Sequence, residues 1–407
     1  MPSAKKVAIV GQGYVGLPLA FALNQAGYDV QGIDTSEAKI HLLLANKSPV
    51  EDLSDKQIQE LFLSRRYAIS SDFSTVSDSE VVVICVPTPI DSNQLPDLTA
   101  LTKACISIAQ NAMAGSLIIN ESTSYPGTVR NLIVDIFRNV RPDVDFDFAC
   151  APERVDPGNE KWGHSNTPRL VGGLTEKALK RAKDFYTDVC NVVVEVSEPE
   201  VAELAKLLEN SFRQVNIALV TEFSQIAKKA NVSIYEVIEA AATKPYGYMK
   251  FLPTVGVGGH CIPVDPMYLS WFAKERGLKA ELVEVAQNIN RSQPLRVAER
   301  AEEILGNKKS RILIIGMGYK SRTADTRESP SVELFTELER RGHEVMWRDS
   351  FVLEFAGKKS HDSLLGFDLI ILAQADPSIT STEIDFNKLK VLDCTGSLSK
   401  TSGVFQL

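Results

Sequence analysis

Histidine and cysteine are scarce in this chain, five and six among 407 residues. The cysteines (Cys85, Cys105, Cys150, Cys190, Cys261, Cys394) stand far apart with no CxxC pair, and the histidines are equally dispersed. Neither a disulfide framework nor a metal-ligand spacing is on offer, so no metal is expected and a reducing, cytoplasmic setting is. No apolar run approaches the ~20 residues of a membrane span. Met1-Pro2-Ser3-Ala4-Lys5-Lys6 passes straight into a strand-like run without a signal-peptide core. No membrane partner is therefore expected. Excess positive charge is missing too: 44 Lys and Arg stand against 52 Asp and Glu, a net charge of −8. That argues against a general nucleic-acid binder but leaves room for a local basic pocket. Low-complexity tracts and short repeats are also absent. What remains is ordinary globular composition, 44% hydrophobic and 24% charged, long enough for two or three domains at ~150 residues each.

The N-terminal half is α/β in pattern. Lys6–Val10 is a β-branched run entering Gly11-Gln12-Gly13-Tyr14-Val15-Gly16. An apolar helical stretch from Leu17 to Ala26 follows, then Gly27 and a second strand, Tyr28–Ile33, ending at Asp34. Strand, glycine turn, helix, strand and acid together are the context of a dinucleotide site, which a bare GxGxxG is not. Further strand-like runs at Val81–Val86, Ser116–Asn120 and Phe146–Ala149 alternate with helical segments, as a doubly wound sheet requires. Residues 1–195 are expected to form this domain. Ser197-Glu198-Pro199-Glu200 has the form of a helix N-cap with a capping box, opening a helix to about Ala230. Ser233 repeats the start signal, and Ala280 to Leu305 is helical with Pro294 as a kink. Residues 196–305 are expected to be a helical middle domain. Arg311–Ile315 then restarts the strand-turn pattern, with strands at Glu344–Trp347, Leu369–Leu372 and Val391–Leu392. In Gly316-Met317-Gly318 the third glycine of the motif is replaced by Ser321, so 306–407 is expected to be an α/β domain without a dinucleotide. The fold class is α/β: two Rossmann-like doubly wound domains joined by a central helical domain.

Each piece of the first turn has a physical role. Gly11 permits the tight turn, Gly13 lets a pyrophosphate approach, and Gly16 allows close helix–strand packing. Phosphate would meet the positive end of the following helix. Asp34 would accept from ribose hydroxyls and repel a 2′-phosphate, favouring NAD over NADP. A second feature is the stretch Gly256-Val257-Gly258-Gly259-His260-Cys261-Ile262-Pro263-Val264-Asp265-Pro266. It places one thiol in a glycine-rich turn four residues before a carboxylate. Such a cysteine is either a buried core residue beside a turn or a covalent nucleophile. On the long helix Lys206 and Asn210 are four apart, hence on one face, and apolar neighbours crowd Lys206 towards buried surface. Asn216 and Glu222 are expected to continue that polar strip. Glu121–Thr128 and Ala151-Pro152-Glu153-Arg154 follow strands, where open α/β sheets bind ligands. Thr123 and Glu153 are candidates to hold a water, Glu153 also as a general base. Cys85, also at a strand end, is expected to be core packing.

Together these elements resemble the UDP-glucose/GDP-mannose dehydrogenase family from end to end. The matching pieces are Gly11–Gly16 with Asp34, Val86-Pro87-Thr88-Pro89, Glu121–Thr128, Pro152-Glu153-Arg154, Lys206 to Asn210, Gly258–Asp265, and Lys320 with Asp325, Arg327, Ser329 and Pro330. Ser321-Arg322-Thr323-Ala324 departs from the usual acidic filling of the Lys320 motif. His260 and Pro263-Val264-Asp265-Pro266, with Pro152 through Asn159, look like the UDP-N-acetylhexosamine branch.

The resemblance implies a four-electron, NAD-dependent oxidation at C6 of a UDP-sugar through a thioester on Cys261. It implies that Lys206 stabilises oxyanions with help from Asn210, that Asp265 orients the lysine and the water, and that Glu153 and Thr123 position or activate that water. Carried over likewise are cofactor contacts at Gly11, Gly13, Tyr14, Val15, Gly16, Asp34, Lys39, Thr88, Thr123 and Arg327. Substrate contacts are implied at Glu153, Arg154, Val155, Lys206, Asn210, Phe251, Leu252, Gly258, Tyr319 and Lys320. A homodimer or higher homo-oligomer through the central helices is implied, and no nucleic acid. UDP-N-acetylglucosamine is expected first, UDP-N-acetylmannosamine next, with UDP-glucose as the alternative. A two-electron β-hydroxyacid dehydrogenase has little use for the Cys261 turn or the second α/β domain. A non-catalytic NAD-binding protein has no use for Cys261, Lys206, Glu153 and Asp265 together.

Overall fold

The computed structural model describes residues 5–155, 161–374, 389–398 and 403–407. Asp156-Pro157-Gly158-Asn159 of the Pro152 motif lie outside the described residues. By its internal contacts the chain divides into two compact units, 1–209 and 210–407, and the division falls inside a helix.

In the first unit, strands and helices follow in the order β1 (Lys6–Val10), α1 (Gly16–Gln25), β2 (Asp29–Ile33), α2 (Glu37–Leu44), α3 (Asp55–Leu63), β3 (Tyr67–Ser70), β4 (Val81–Ile84), α4 (Thr99–Asn111), β5 (Leu117–Asn120), α5 (Val134–Val140), β6 (Asp147–Cys150), β7 (Arg169–Gly173), α6 (Glu176–Thr187) and β8 (Val193–Val196). They build one sheet in the order β3-β2-β1-β4-β5-β6-β7-β8, parallel except where β7 runs against β6. The period-2 alternation of a strand sorts β1 between two cores. Val7 and Ile9 pack with Leu17 of α1 and Ala178 and Phe185 of α6. Ala8 and Val10 pack with Leu101 and Ile108 of α4 and Phe137 of α5. Covered on both faces, the strands can be continuously apolar, as Val81–Ile84 and Leu117–Ile119 are.

The long helix α7 runs from Pro199 to Lys229, 31 residues. Proline suits its first position, where an N–H would have no intrahelical partner. The flanking residue is therefore Glu198, and Ser197 stands one residue too early to be the expected cap.

The second unit begins within α7 and continues with α8 (Ile234–Ala242), α9 (Asp265–Lys274), α10 (Glu281–Arg291), α11 (Gln293–Leu305), β9 (Arg311–Ile315), α12 (Pro330–Arg340), β10 (Glu344–Arg348), the short hairpin β11 (Glu354–Phe355) and β12 (Lys358–Lys359), β13 (Leu369–Leu372), β14 (Lys390–Asp393) and β15 (Val404–Gln406). Ser233 caps α8 as expected, its side chain accepting from the Glu236 amide. The expected single helix over 280–305 is two helices. Pro294 lies in the first turn of α11, because a proline that breaks a helix interior is tolerated at a new start. The second sheet has the order β10-β9-β13-β14-β15, all parallel. Ile312 and Ile314 pack under α11 and α12, and Leu313 and Ile315 face the other side. The molecule thus has two Rossmann-type sheets, the first mostly and the second wholly parallel, and a helical region between them in sequence. No helix among the described residues is long and apolar enough to cross a membrane.

Candidate functional site

The first turn is shaped for a dinucleotide. Gly11 has φ +98°, and a Cβ there would come 2.3 Å from the Cys85 carbonyl oxygen. A Cβ on Gly16 would come 1.9 Å from the Gly11 oxygen, whereas one on Gly13 would meet nothing nearer than Lys39 Nζ at 4.0 Å. Two glycines are therefore demanded by the chain itself, and the middle one leaves an open approach at the start of α1. Val15 precedes α1 without a side-chain cap. Within the first turn the Leu17 N–H donates to the Gly13 carbonyl at 3.1 Å and Pro18 has no N–H, so an anion would be met by the amides of the glycine turn ahead of them. Tyr14 bonds Glu51 at 2.5 Å. Asp34 is buried at the end of β2 and accepts from the amides of Gln12 (2.8 Å) and Ser36 (2.9 Å) and from Lys39 Nζ (3.1 Å). These residues fit NAD, with Lys39 the donor that a ribose hydroxyl would replace or share. Thr88 and Thr123 meet at the carboxyl ends of β4 and β5, Thr88 Oγ1 donating to the Thr123 carbonyl at 2.7 Å.

Glu153 belongs to a buried charge cluster that the sequence did not announce. Arg169, at the start of β7, lies between two carboxylates, 3.3 Å from Glu121 and 2.5 Å from Glu153. Its guanidinium stacks 5.1 Å from the Tyr186 ring centroid, and the Tyr186 hydroxyl donates to Glu121. Burial pushes the Glu121 carboxyl up. Burial would raise Glu153 as well, but Arg169, His164 and the Val155 amide outweigh it and hold that carboxyl down. Its Oε1 also accepts from the amides of Arg154 (2.6 Å) and Val155 (2.7 Å). Burial and the Arg169 charge lower His164 to about 4. At neutral pH it is thus an uncharged acceptor, 3.0 Å from the Arg169 guanidinium. A carboxylate with its lone pairs so occupied is a weak base. These contacts favour a fixed anion anchoring the loop that Glu153 begins over a ready proton acceptor. Arg154, expected to contact substrate, spends its donors on Glu209 (3.1 and 2.5 Å) and the Pro168 carbonyl (2.8 Å). Cys85 packs beside Glu121 with its thiol pushed well up by burial, as expected of a core residue. A charged residue opening the apolar run Leu170-Val171 was the available signal for Arg169.

On α7, Lys206 is buried as the sequence led one to expect, and within its unit it forms no hydrogen bond or ion pair among the described residues. The polar strip continues differently. Asn210, Gln214, Thr221 and Ser224 are buried, whereas Glu222 is exposed and Asn216 is half-buried and donates to the Phe212 carbonyl. Steps of four from Lys206 to Asn210 to Gln214 carried that information. One turn before Lys206, Glu203 is also buried and accepts from the amides of Gly127 (2.5 Å) and Val129 (3.0 Å). It fixes the turn after Thr123, and burial raises it to about 7.

In the second unit, Asn210 donates to Asp265 at 2.6 Å. Asp265 heads α9, and its amide donates to the Cys261 carbonyl at 2.9 Å, so thiol and carboxylate are one turn apart. Cys261 is the exposed cysteine of the six, which discards the core-residue reading. Its loop is glycine-rich because it is pressed from behind. A Cβ on Gly258 would come 2.7 Å from the Glu328 carbonyl oxygen, and one on Gly259 would come 2.8 Å from the Tyr319 ring. Phe251 and Leu252 pack against the small core of α7 and α8. Arg327 is exposed and held by both oxygens of Asp325, and Lys320 is half-buried in the same segment. The second glycine turn is closed. A Cβ on Gly318 would meet the Thr323 oxygen at 2.4 Å, and Asp349 at the end of β10 is saturated by the amides of Met317, Gly318, Phe351 and Val352. No group of three or more metal-ligating side chains gathers among the described residues.

Comparison with known proteins covers nearly the whole chain. Three models of the UDP-glucose/GDP-mannose dehydrogenase family match in order: the NAD binding domain over residues 5–190, the central domain over 200–292 and the UDP binding domain over 313–398. A UDP-N-acetyl-D-mannosamine dehydrogenase of Methanocaldococcus jannaschii is 35% identical over 384 residues, covering 91% of this chain and 86% of that one. A UDP-N-acetyl-D-glucosamine 6-dehydrogenase of Pseudomonas aeruginosa is 31% identical, covering 82% and 80%. The solved structure of the UDP-D-ManNAc dehydrogenase of Pyrococcus horikoshii superposes with a TM-score of 0.90 at 31% identity, covering 98% of each chain.

Proposed function

Because the chain belongs to the UDP-glucose/GDP-mannose dehydrogenase family, and is thereby an NAD-dependent oxidoreductase acting on a UDP-sugar, we propose that it oxidises C6 of a UDP-N-acetylhexosamine to the carboxylate through a thioester on Cys261. The observation that carries this is the exposed Cys261 one backbone turn from Asp265, itself held by Asn210 of α7. NAD⁺, when bound, supplies the hydride acceptor, twice per sugar. Cys261 Sγ adds to the C6 aldehyde, and loss of the second hydride from the thiohemiacetal leaves a thioester. Water cleaves it, freeing the thiol and the carboxylate. Lys206, a cation on a buried face, stabilises the oxyanions at C6, an effect that can lower a barrier by several kcal/mol. Asn210 holds Asp265 in line, and Thr123 and the fixed anion Glu153 position the water. The division into 1–195, 196–305 and 306–407 then assigns cofactor, catalysis and UDP in turn.

The acetamido sugar is supported by the branch named in the relatives and by His260 and Val264 flanking the thiol. Among isomers the manno sugar now comes first and the gluco sugar second, reversing the order expected from the motif. The reason is that the relatives named for it reach 35% identity and a TM-score of 0.90. A panel of UDP-N-acetylmannosamine, UDP-N-acetylglucosamine and UDP-glucose, with NADH counted per sugar consumed, tests the proposal. Two NADH and at least about a tenfold preference in kcat/KM for an acetamido sugar are expected, because a site built to bond the amide leaves it unpaired otherwise. One NADH per sugar returns the two-electron reading. UDP-glucose used equally well removes the branch assignment.

The oligomer is proposed to be at least a homodimer through α7. Leu204, Leu208, Phe212, Leu219, Phe223 and Ile226 are exposed on that helix at three-, four- and seven-residue steps, the spacing of one exposed apolar face.

A further inference from the structure

The loop that carries Cys261 runs from Thr254 to Pro263 and contains three glycines, so its backbone has little stiffness of its own. Both ends are nevertheless gripped by buried amide side chains with no part in the chemistry proposed above. At the exit, Gln287 of α10 donates from Nε2 to the Pro263 carbonyl at 3.0 Å. At the entrance, Gln293 of α11 donates from Nε2 to the Thr254 carbonyl at 3.1 Å. Gln214 of α7 donates to Gln287 Oε1 at 2.7 Å, and Asn290 Nδ2 donates to the Gln214 carbonyl at 3.1 Å. The direction of this chain of amides is forced. A carbonyl can only accept, so Gln287 must turn its NH2 to Pro263, which leaves its oxygen to be satisfied by Gln214. Gln214 is the next member of the strip of Lys206 and Asn210.

We propose that Gln287, oriented by Gln214, is a positioning residue for Cys261. Together with Gln293 it fixes the thiol loop in the place from which sulfur reaches C6. The proposal rests on the reading of Cys261 as nucleophile. All three amides are uncharged, so they set where the sulfur sits without altering its charge. A small misplacement of a reacting atom is enough to cost one to two orders of magnitude.

The test uses the full-length enzyme with Gln287→Met, Gln214→Met and the double variant. Gln287→Met should lower kcat about tenfold or more while the KM values for NAD⁺ and the sugar stay within about twofold. Adding Gln214→Met should cost nothing further, since Gln214 acts through Gln287. Alkylation of Cys261 by iodoacetamide, followed on its own peptide, should change in rate with its pH midpoint unmoved. In Gln287→Glu the donor is lost, and it returns as falling pH protonates the new carboxyl. The ratio of variant to wild-type alkylation rates should therefore approach one on acidification, which a role in folding alone would not produce. Gln287→Glu is also the variant to use if Gln287→Met does not fold. Wild-type kcat and alkylation in Gln287→Met, additive losses in the double variant, or no recovery in Gln287→Glu each overturn the proposal. Full turnover by Cys261→Ser would instead overturn the nucleophile, and the alkylation data would still report how the loop is held.

Discussion

A buried carboxylate held by backbone amides and not by a salt bridge is costly to ionise, and among the described residues Glu203 is one. It faces the amides of Gly127 and Val129, with Glu200 and Arg130 as its charged neighbours, and its carboxyl is raised from 4.5 to about 7. The folded state therefore binds a proton more tightly than the unfolded chain does. The stability this lends is complete below the unfolded value and lost as pH rises through the folded one, up to about 3 kcal/mol. Glu203→Gln cannot ionise. Its thermal midpoint, relative to wild type, should rise by a few degrees between pH 5 and pH 8, and a constant difference would refute the assignment. Asp34 supports a second expectation. It should disfavour NADP⁺ by several kcal/mol, or more than a hundredfold in kcat/KM, by like charge at the 2′-position. Lys39 at 3.1 Å is the one neighbour that could soften this, so Lys39→Ala should widen the preference for NAD⁺. At Cys261, the serine variant should bind both ligands and fail to finish turnover, because serine is a poor nucleophile without a base. Undiminished steady-state activity would exclude the thioester.

Elements were legible where their periodicity was long or their punctuation strong. The 31 residues of α7 and the cap at Ser233 followed from the pattern, as did the strands that are short apolar runs. Strands β3, β7, β8, β11, β12 and β15 were not seen. Arg169-Leu170-Val171-Gly172-Gly173 opens on a charge and closes on two glycines, and neither is the mark of a strand. Arg169 is there because its charge is neutralised by carboxylates from the ends of β5 and β6, partners about 16 and 48 residues away that no local window contains. The polar strip of α7 was misassigned after Asn210 because Asn216 and Glu222 match in polarity but not in helical phase; Gln214 matches in both. The same helix offers a test of assembly. Leu208→Glu with Leu219→Glu places charge on its exposed apolar face and should shift the protein to monomer in sedimentation velocity. An unchanged mass would move the interface elsewhere.

At the scale of the molecule, two sheets of like topology carry turns of unlike accessibility. Gly13 is open and Gly318 is closed by its own loop, a difference the replacement of the third glycine by Ser321 already hinted at. What the sequence could not convey is that Thr323 folds back to do the closing. NAD⁺ and UDP should accordingly bind apart and independently raise the thermal midpoint, each by about 2.7 kcal/mol of stabilisation at a hundredfold excess over its Kd. Hydrogen exchange should slow around residues 11–16 and 34–39 with NAD⁺, and around 316–330 with UDP. Protection of the first set by UDP alone would contradict this assignment.

The press of Tyr319, Glu328 and Pro330 upon Gly256, Gly258 and Gly259 has an implication for anyone who would re-engineer this enzyme. The segment that would grip the nucleotide and the loop that bears the reactive sulfur touch without slack, like two plates bolted face to face. Recutting the first to accept a different nucleotide displaces the second, so selectivity for the nucleotide end of the substrate and reactivity at its far end cannot be tuned on separate dials.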